Sequence, residues 1–530
     1  MSQPEQGRGD IITTNTRTIA EVVAGIPSAT IHGDSAEAIQ SIEFDSRLVE
    51  PGGMFVALRG GYTDGHAYLD QARMRGAVAA LVERGTVEHL RGEWPTLVEV
   101  ADTRAALAIV AAEFFGHPSQ DLCVIGVTGT DGKTTTSHLI EAMLRHAGRR
   151  TGLIGTVEVR IAGEVDLHES RQTTPESLVI QRILASMRDR EVDTAILEAT
   201  SHGLVMHRLD SCAFDVGVVT NITHEHLDFH GSVEAYREAK AMLLDNVARD
   251  KQRGRRGALV LNKDDEGARS IAAHGRGCEM LWYSMDPASD AEFRASQIEF
   301  GTNGQQFTLH SPMGETRISL ALPGRYNVAN ALAAATVGHA LGLSLKQIAE
   351  GLESLDAVPG RMQAVDEGQP FAVIVDYAHT PDAIESVLTV LRDATPGRLM
   401  VLFGSAGERD IDKRSIQGRV AIEYSDFAIF SSEDPRFEDP MVIIDAIADG
   451  AMQAGGRRGV DFECIEDRRT AIATILQAAK AGDVVVLAGK GHEKSMIYGS
   501  EKRPWDEAEV AADILRKLGY SPSNQSDRSL

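Results

Sequence analysis

The pattern of apolar and polar positions divides the chain into three regions. The first, residues 1–118, mixes helical segments with the short apolar runs MFVALRG, AVAALVE and PTLVEV. The second, residues 119–357, opens with the apolar run LCVIGVTG and continues through the strand-like runs TAILEA, FDVGVVTN and ALVLN to the alanine-rich helical stretch NVANALAAATVGHALG. These two regions and the remainder, residues 358–530, are the three domains that we predict.

The third region alternates apolar β runs with amphipathic helices. The runs AVIVDYAH, LMVLFGSAG, FAIFSSEDP and DVVVLAGKG are separated by the helical stretches DAIESVLTVLRDA, RSIQGRVAIEYS, MVIIDAIADGAMQA and RTAIATILQAAKA. Such alternation predicts an α/β fold with a parallel sheet covered on both faces. Ligands are then expected at the carboxyl ends of the strands, where the glycine-rich loops fall.

Composition places the chain among soluble globular proteins. Of its 530 residues, 43% are apolar and 25% are charged. No apolar run approaches the ~20 residues that span a bilayer. The start MSQPEQGRGD lacks the basic residues and apolar stretch of a secretory signal. We therefore expect a cytoplasmic protein without membrane insertion.

Charge and cysteine content limit the classes of partner that the protein is expected to bind. The net charge of −24 argues against a nucleic-acid or membrane-surface binder, because both partners are polyanions. The four cysteines form no CxxC pair, so neither a disulfide framework nor a structural zinc site is expected. An anionic small substrate stays compatible with this charge, since glycine loops, arginines and Mg²⁺ bind phosphate locally.

A candidate phosphate-binding loop, GVTGTDGKTT, occupies residues 126–135. An apolar strand precedes it, and the helix that follows has one apolar face. Backbone N–H groups and the helix N-terminus would bind phosphate, Lys133 would reach the β and γ oxygens, and Thr134 would ligate Mg²⁺. The spacing does not meet the generic GxxxxGK[ST] pattern, so a chance glycine turn before a helix is the alternative. The predicted nucleotide contacts are Gly129, Thr130, Asp131, Gly132, Lys133, Thr134 and Thr135.

The segment TGTDGKTT resembles the phosphate loop of the Mur ligases and of their relatives, the folylpolyglutamate and cyanophycin synthetases, with Asp131 in place of the usual Asn. Two further segments, LEATSHG (197–203) and TNITHEHLDFHG (220–231), resemble family motifs. By this resemblance, Glu198 and His226 help to hold Mg²⁺ with Thr134. YREAKAMLL (236–244) is similar to the segment that carries a carbamylated lysine, which implies a CO₂-derived carbamate on Lys240 as a further metal ligand.

Later motifs extend the resemblance towards the C-terminus. LPGRYNVANALAAA (322–335) resembles the segment that would place Asn327 near the adenine. PGRM and VDYAHTPDAIE resemble the opening of the family's C-terminal domain, where Arg361 and Asp376 would close over the nucleotide. The implied fold has three domains, with a central sheet like that of P-loop ATPases and a C-terminal Rossmann-like domain. The DYAHTP form favours ligases that build the muramyl peptide over folate enzymes.

Segments around the predicted substrate resemble those of the ligase that adds the third peptide residue. FDSR (44–47) and GGYTDGH (60–66) are similar to its signature for the UDP-sugar, and QTTPE (172–176) and TSHGLVMHR are similar to its contacts with the muramyl dipeptide. Met206 falls where the family often has Gln. The implied substrate contacts are Phe44, Ser46, Gly61, Tyr62, Thr63, Thr173, Thr174, Thr200 and Arg208.

Three C-terminal motifs, GERDIDKR, SEDPRFEDP and GKGHE, are implied to bind the incoming amino acid. Arginines pair with carboxylates and a glutamate accepts from a distal ammonium. The chain reads EDPR where enzymes that use meso-diaminopimelate typically read DNPR. The arginine suits a distal carboxylate and the aspartate a second ammonium, so meso-diaminopimelate is slightly favoured over L-lysine and L-ornithine. The implied contacts are Arg409, Glu433, Asp434, Pro435, Arg436, Gly489 and Glu493.

The resemblance implies an ATP- and Mg²⁺-dependent acid–amino-acid ligase. It would add a diamino acid to UDP-N-acetylmuramoyl-L-alanyl-D-glutamate through an acyl phosphate, in the peptidoglycan synthesis that cell shape and division require. Its catalytic residues would be Lys133, Glu198, His226 and Lys240. We expect a monomer that binds no nucleic acid. The alternatives are a cyanophycin- or folylpolyglutamate-type ligase on the same scaffold, and a non-catalytic nucleotide-binding scaffold protein.

Overall fold

The computed structural model describes residues 16–60, 63–86, 94–166, 172–223, 225–301 and 304–521. The chain divides into two compact units. The first unit extends to residue 284 and includes 289–293 and 333–348, and the second unit contains 285–288, 294–332 and the chain from 349 onwards. Across the described ranges, no helix is both long and apolar enough to cross a membrane.

The first sheet is five-stranded, in the order β2-β7-β6-β5-β4, and β1 pairs separately with β3. Strands β4 to β7 run parallel, and β2 is antiparallel to β7. The apolar runs predicted as strands in this region coincide with β5, β6 and β7, so those predictions are confirmed. The elements are β1 Arg17–Thr18, α1 Ile19–Val23, β2 Thr30–Gly33, β3 Ala38–Ile39, β4 Ser41–Glu43, β5 Gly53–Val56, α2 Leu69–Met74, β6 Ala79–Glu83, β7 Thr96–Val100 and α3 Thr103–Phe115.

The second sheet of the first unit runs in the order β11-β10-β9-β12-β8-β13-β14-β15. Six neighbouring strands are parallel, in the order β9, β12, β8, β13, β14 and β15. Strands β10 and β11 add an antiparallel edge next to β9. The elements are β8 Cys123–Thr128, α4 Lys133–His146, β9 Thr151–Ile154, β10 Val159–Ile161, β11 Glu164–Asp166, α5 Ser177–Asp189, β12 Thr194–Glu198, α6 Ser201–Val205, β13 Val216–Val219, α7 Leu227–His230, α8 Val233–Gln252, β14 Ala258–Asn262, α9 Glu266–Ile271 and β15 Glu279–Ser284. The predicted central parallel sheet is confirmed.

Burial explains why β12 and β13 form in the middle of this sheet. Both strands are buried along their whole length, as expected where helices cover both faces of a parallel sheet. Strand β8 lies between them. Because parallel strands end at the same edge, the loops after β8, β12 and β13 converge there.

An arginine links the first sheet to the second within this unit. The Arg104 guanidinium donates to both carboxylate oxygens of Glu176 at 3.0 Å and to the carbonyl of Arg59, also at 3.0 Å. Arg59 precedes the GGYTDGH segment, and Glu176 ends the QTTPE segment. A second bridge joins Arg182 of α5 to Glu43 of β4 at 2.9 Å. The predicted sugar-binding and dipeptide-binding segments are therefore held near each other.

The second unit contains an antiparallel meander and a six-stranded sheet. The meander is formed by strands β16, β17 and β18, and the six-stranded sheet has the order β19-β20-β24-β21-β22-β23, parallel from β20 to β23. Phe293 and the parts of α10 and α11 within residues 333–348 belong to the first unit. The elements from β16 onwards are β16 Phe293–Gly301, β17 Gly304–Ser311, β18 Gly314–Leu320, α10 Arg325–Ala340, α11 Leu345–Glu353, β19 Gln363–Ala364, β20 Ala372–Val375, α12 Pro381–Ala394, β21 Leu399–Phe403, α13 Asp412–Tyr424, β22 Phe427–Phe430, α14 Pro440–Gln453, β23 Phe462–Cys464, α15 Arg468–Ala478, β24 Val484–Leu487, β25 Ser495–Tyr498, β26 Glu501–Pro504 and α16 Glu507–Lys517.

Alternate residues of the strands in the parallel sheet face two separate cores. Val401 of β21 belongs to the core that contains residues of α12, α13 and α14. Its neighbours Met400 and Leu402 belong to the core that contains residues of α15 and α16. Helices therefore cover both faces, and the predicted Rossmann-like arrangement is confirmed. A hairpin of β25 and β26, which the sequence patterns did not indicate, follows β24.

Candidate active site

The phosphate loop connects β8 to α4. Gly129 has a φ of 156°, and a Cβ there would overlap the Thr220 hydroxyl, so only glycine fits. Lys133 opens the helix, and its Nζ donates to the carbonyls of Gly129 at 2.8 Å and Thr130 at 2.7 Å. The positive end of the helix dipole lies at this loop, which favours a bound anion.

The loop backbone is fastened to the segment after β13. Thr130 N donates to the Asn221 carbonyl at 2.8 Å, and Asp131 N donates to Asn221 Oδ1 at 2.9 Å. Thr220 Oγ1 donates to the Asp131 carbonyl at 2.5 Å. Asp131 is exposed and makes these bonds through its backbone, so they do not depend on whether the side chain is Asp or Asn.

A buried carboxylate lies beside the loop at the end of β12. Glu198 is 1% exposed, and its Oε2 accepts from the hydroxyls of Thr134 at 3.0 Å and Thr156 at 2.8 Å. Thr156 Oγ1 also donates to Thr173 Oγ1 at 3.0 Å. A carboxylate and hydroxyls are hard oxygen donors of the kind that Mg²⁺ prefers, so Thr134 and Glu198 fit this metal. Within the described ranges, no group of three or more His, Cys, Asp or Glu side chains could hold a metal ion.

The residues predicted to hold the dipeptide adjoin this carboxylate. Thr174 Oγ1 donates to the Glu198 carbonyl at 2.7 Å and lies 3.0 Å from Thr200 Oγ1. Arg208 is buried, and its guanidinium donates to the Thr174 carbonyl at 2.9 Å and to Glu176 at 2.8 Å. Arg208 therefore holds the Thr173–Thr174 segment in place in this structure.

Lys240 approaches the same loop from α8. It is 1% exposed, and its Nζ donates to the Gly129 carbonyl at 2.7 Å. Burial, together with the nearby Lys133 ammonium, holds the pKa of Lys240 well below its usual value. Two lysine amines therefore share one carbonyl oxygen, and burial makes the charged form of Lys240 less favourable than it is in water.

His226 is not part of the hydrogen-bonded cluster around Glu198 in the described residues. It is exposed, has a φ of 54°, and its ring lies 4.7 Å from that of His202. Its Nε2 is 3.7 Å from the Glu225 carboxylate. The structure thus brings together Thr134, Glu198 and the phosphate loop, whereas His226 is exposed and lies outside this cluster.

Three of the predicted sugar-binding residues, Phe44, Ser46 and Thr63, lie in the loops that follow β4 and β5 of the first sheet. Phe44 is half-buried and packs against the core of that sheet. Ser46 is buried, and its hydroxyl donates to Gln71 at 2.7 Å. Thr63 is exposed, and its carbonyl accepts from Gly60 N at 2.8 Å. Gly61 and Tyr62 lie outside the described residues.

The three nucleotide contacts predicted nearer the C-terminus lie in the second unit. Asn327 is buried and donates to the Pro323 carbonyl at 2.6 Å. Asp376 accepts from the amides of Met362 at 2.7 Å and Ala378 at 2.8 Å. Burial raises the pKa of Asp376, and the Arg361 guanidinium opposes that rise. The same guanidinium lies 5.0 Å from the Tyr377 ring, in cation–π range.

The EDPR segment follows β22 and contacts the segment that follows β24. Asp434 Oδ1 accepts from Lys490 Nζ at 2.9 Å and from Ile497 N at 3.0 Å. Lys490 is fully buried and also donates to Glu493. Arg436 has a φ of 54°, and its backbone N donates to the Ile497 carbonyl at 3.1 Å. The Arg436 Nε is buried and has no hydrogen-bond partner.

The remaining predicted amino-acid contacts pack closely, with one exception. Glu433 and Pro435 are buried, and burial raises the pKa of Glu433. Gly489 has a φ of 98°, and a Cβ there would overlap the Glu433 carboxylate. Arg409 is the exception, because it is exposed on the loop after β21.

A buried ion pair ties these two segments together. Arg468 donates to the carbonyls of Ser432 at 3.1 Å and Ala488 at 2.7 Å, and to Glu507 at 2.7 Å. Both members of the pair are at most 1% exposed. Trp505 Nε1 donates to the other oxygen of Glu507 at 2.6 Å. The pair therefore anchors the residues just before the EDPR and GKGHE motifs.

Sequence reasoning missed three residues of these clusters. Thr156 bonds Glu198, and the only local signal for it was a Gly-Thr step after a buried strand. Lys490 lies inside the GKGHE motif, but the resemblance pointed only to its neighbours Gly489 and Glu493. Arg468 had no signal, because its partner Glu507 is 39 residues away in sequence.

The fold and site define a nucleotide-dependent α/β enzyme. A glycine loop between a central parallel strand and a helix faces a buried carboxylate on the adjacent strand, and a separate Rossmann-like sheet supplies charged segments at its strand ends. Such a division separates phosphate chemistry from recognition of a second substrate.

Comparison with protein-family models covers each part of this arrangement. The Mur ligase family catalytic domain matches residues 38–115, the Mur ligase middle domain matches 127–338, and the Mur ligase glutamate ligase domain matches 360–491. The chain belongs to the Mur ligase family. It is therefore an ATP-dependent ligase that forms a peptide bond, and Mur ligases use ATP and Mg²⁺.

Curated relatives cover most of the chain. A UDP-N-acetylmuramyl-tripeptide synthetase from Roseiflexus sp. is 44% identical over 91% of this chain and 95% of its own. UDP-N-acetylmuramoyl-L-alanyl-D-glutamate--2,6-diaminopimelate ligases from Bacillus velezensis and Streptomyces coelicolor are each 40% identical over 91% of this chain, and over 95% and 94% of their own.

Solved structures show the same architecture. A UDP-N-acetylmuramoyl-L-alanyl-D-glutamate--2,6-diaminopimelate ligase superposes with a TM-score of 0.65 at 28% identity, covering 96% of this chain and 100% of its own. The MurF ligase from Thermotoga maritima in complex with ADP superposes with a TM-score of 0.61 at 19% identity, covering 90% of this chain and 97% of its own. The second likeness concerns the fold alone.

Proposed function

We propose that the protein adds a diamino acid, with meso-diaminopimelate favoured, to UDP-N-acetylmuramoyl-L-alanyl-D-glutamate. One observation carries this proposal. The phosphate loop, the Glu198 carboxylate and the threonines of the QTTPE segment form one hydrogen-bonded cluster, linked through Thr134, Thr156 and Thr173. A phosphoryl donor and a peptide carboxylate bound there would lie side by side. The names of the relatives supply the identity of the peptide substrate.

The first step that we propose is phosphorylation of the D-glutamyl carboxylate. In the structure, Lys133 Nζ bonds two loop carbonyls. On nucleotide binding it exchanges these for phosphate oxygens, and its charge offsets the negative charge that develops during transfer. Mg²⁺ held by Thr134 and Glu198 would supply further neutralisation of the phosphate oxygens. His226 and Asn327 would complete contacts at the metal and the adenine, and Arg361 and Asp376 would contact the nucleotide.

The second step is attack of the amino-acid amine on the acyl phosphate. The GERDIDKR, EDPR and GKGHE segments would bind the distal end of the amino acid. Asp434 is already paired with Lys490, whereas the Arg436 Nε has no hydrogen-bond partner. A guanidinium whose Nε has no hydrogen-bond partner, two residues from a carboxylate that Lys490 already pairs, suits a distal group that carries its own carboxylate, which favours meso-diaminopimelate over lysine or ornithine.

The test is phosphate release with ATP and the UDP-linked dipeptide, supplied in turn with meso-diaminopimelate, L-lysine and L-ornithine. We expect the highest kcat/KM with meso-diaminopimelate, because Arg436 can pair with its distal carboxylate. A preference for lysine or ornithine would overturn this amino-acid assignment and keep the ligase. No amino-acid-dependent release with any of the three would reject the proposed ligase activity.

We further propose that Lys240 carries a CO₂-derived carbamate. Carbamylation requires the neutral amine, and burial lowers the pKa of Lys240 well below its usual value, which increases the share of that form. The carbamate would present oxygen ligands in place of a cation next to the phosphate loop. Raising the pH increases the neutral fraction, so occupancy should rise with pH at a fixed concentration of dissolved CO₂.

The carbamate predicts a ¹³C NMR resonance after incubation with ¹³C-bicarbonate, and this resonance should be missing from Lys240→Met. Removal of CO₂ from the buffer should lower turnover, because the modified form is depleted. The exposed lysine variant Lys517→Met is the matched control and should keep the resonance. Equal spectra for wild type and Lys240→Met would contradict the assignment.

The domain boundaries that we propose are residues 1–118, 119–357 and 358–530. We also propose that the protein is a monomer. Cytoplasmic localisation is proposed because ATP and the UDP-linked precursor are cytoplasmic substrates.

A further inference from the structure

Lys490 is a buried lysine to which the two proposed chemical steps assign no contact with the substrate. It lies in the turn after β24 and is fully buried. Its Nζ donates to Asp434 Oδ1 at 2.9 Å and to a Glu493 carboxylate oxygen. A buried lysine with two carboxylate partners compensates charge, because burying either carboxylate alone would be costly.

Lys490 is the shared basic partner of two acidic side chains. Asp434 and Glu493 each accept from its Nζ. Of the neighbouring charged groups, Arg468 is paired with Glu507, and burial raises the pKa of Glu433 and lowers the pKa of Lys413. The Arg436 guanidinium belongs to the same EDPR segment, two residues from Asp434, and its Nε has no hydrogen-bond partner. A ligand end that brings a carboxylate for Arg436 as well as an ammonium therefore fits this segment better than an ammonium alone.

Diamino acids differ in the charge of this end. The distal end of meso-diaminopimelate carries one ammonium and one carboxylate, so it is neutral overall. The distal ends of lysine and ornithine carry an ammonium alone. Without Lys490, Asp434 and Glu493 would lack the ammonium that both contact, and their unpaired negative charge would suit the single ammonium.

We infer that Lys490 determines which diamino acid is accepted, by neutralising Asp434 so that the EDPR segment reads a zwitterionic end. This inference rests on the proposed function. Lys490 acts on the substrate through Asp434 and is therefore a positioning and charge-setting residue. Asp434 also receives the Ile497 amide at 3.0 Å, which keeps its carboxylate oriented when the lysine is changed.

The experiment compares Lys490→Gln, Asp434→Asn and the double variant with the wild type. The readout is the ratio of kcat/KM for meso-diaminopimelate to that for L-lysine and for L-ornithine. In Lys490→Gln this ratio should fall about 10- to 100-fold, since a buried charge pair contributes on that scale. In Asp434→Asn it should rise, because Lys490 loses one of its two carboxylate partners and then disfavours a ligand end that brings an ammonium alone. In the double variant, where neither charge remains, it should return to within about threefold of the wild type.

The outcomes separate this inference from the proposed function. A ratio unchanged in Lys490→Gln, or one that shifts equally in the double variant, would overturn the role of Lys490. If Lys490→Gln does not fold, Asp434→Asn still decides, because no shift towards meso-diaminopimelate would contradict the charge balance. Wild-type enzyme that releases no phosphate with any of the amino acids would instead reject the proposed function.

Discussion

Lys133→Ala should reduce turnover at least about a thousandfold. Its ammonium is the cation at the start of α4 and bonds the loop carbonyls of Gly129 and Thr130. Loss of a preorganised charge that faces transferring phosphate oxygens costs on the order of 10²–10³ in rate, and more when binding of the nucleotide is also weakened. Phosphate release at saturating substrates measures the effect.

Binding of the UDP-linked dipeptide should survive the same substitution. The residues proposed to hold the dipeptide, including Thr173 and Thr174, make no hydrogen bond to Lys133 among the described residues. Isothermal titration with the dipeptide substrate therefore separates lost chemistry from lost folding, and Lys517→Ala serves as an exposed control. Retained turnover in Lys133→Ala would be incompatible with a phosphate-binding role for this loop.

Glu507→Ala should destabilise the C-terminal sheet by about 3–5 kcal/mol. The substitution leaves the Arg468 guanidinium buried without its carboxylate, and an uncompensated buried charge costs on that scale. Because Arg468 also donates to the carbonyls of Ser432 and Ala488, the EDPR and GKGHE segments would lose their shared anchor. The KM for the amino acid should therefore rise in enzyme that remains folded.

Hydrogen exchange of β22 and β24 measures this free energy of opening directly. Glu509→Ala is the matched control, since Glu509 is an exposed glutamate on the same helix, two residues further on. It should change stability by less than about 0.5 kcal/mol. Equal protection of the strands in the two variants would show that the buried pair is not the anchor.

Local pattern was enough to predict the parallel sheets and the phosphate loop. The apolar runs that became β8, β12, β13 and β14 are buried on both faces, so their hydrophobicity is continuous and easily read. The helix after the loop was predicted from its apolar face, and α4 begins at Lys133. Glu198 was placed next to the loop because both end adjacent parallel strands.

Long-range pairing explains most of what the sequence did not reveal. In the meander β16–β18, buried residues alternate with more exposed ones along β17, and the sequence patterns did not identify the three strands. The Arg468–Glu507 pair joins the starts of two helices, and no local spacing encodes it. For Asp434, the sequence could offer only its charge, whereas the structure pairs it with Lys490 and so changes what it can recognise.

The hairpin of β25 and β26 contacts the EDPR segment from a separate stretch of the chain. The Ile497 amide donates to the Asp434 carboxylate and the Ile497 carbonyl accepts from Arg436 N, yet Ile497 lies beyond residue 491, where the match to the glutamate ligase domain ends. Changes in this short hairpin can therefore alter the specificity for the amino acid while the phosphate-binding loop stays unchanged. Exchanging this hairpin between related ligases is accordingly a route to enzymes that add other amino acids to the cell-wall precursor and keep the same phosphate-binding residues.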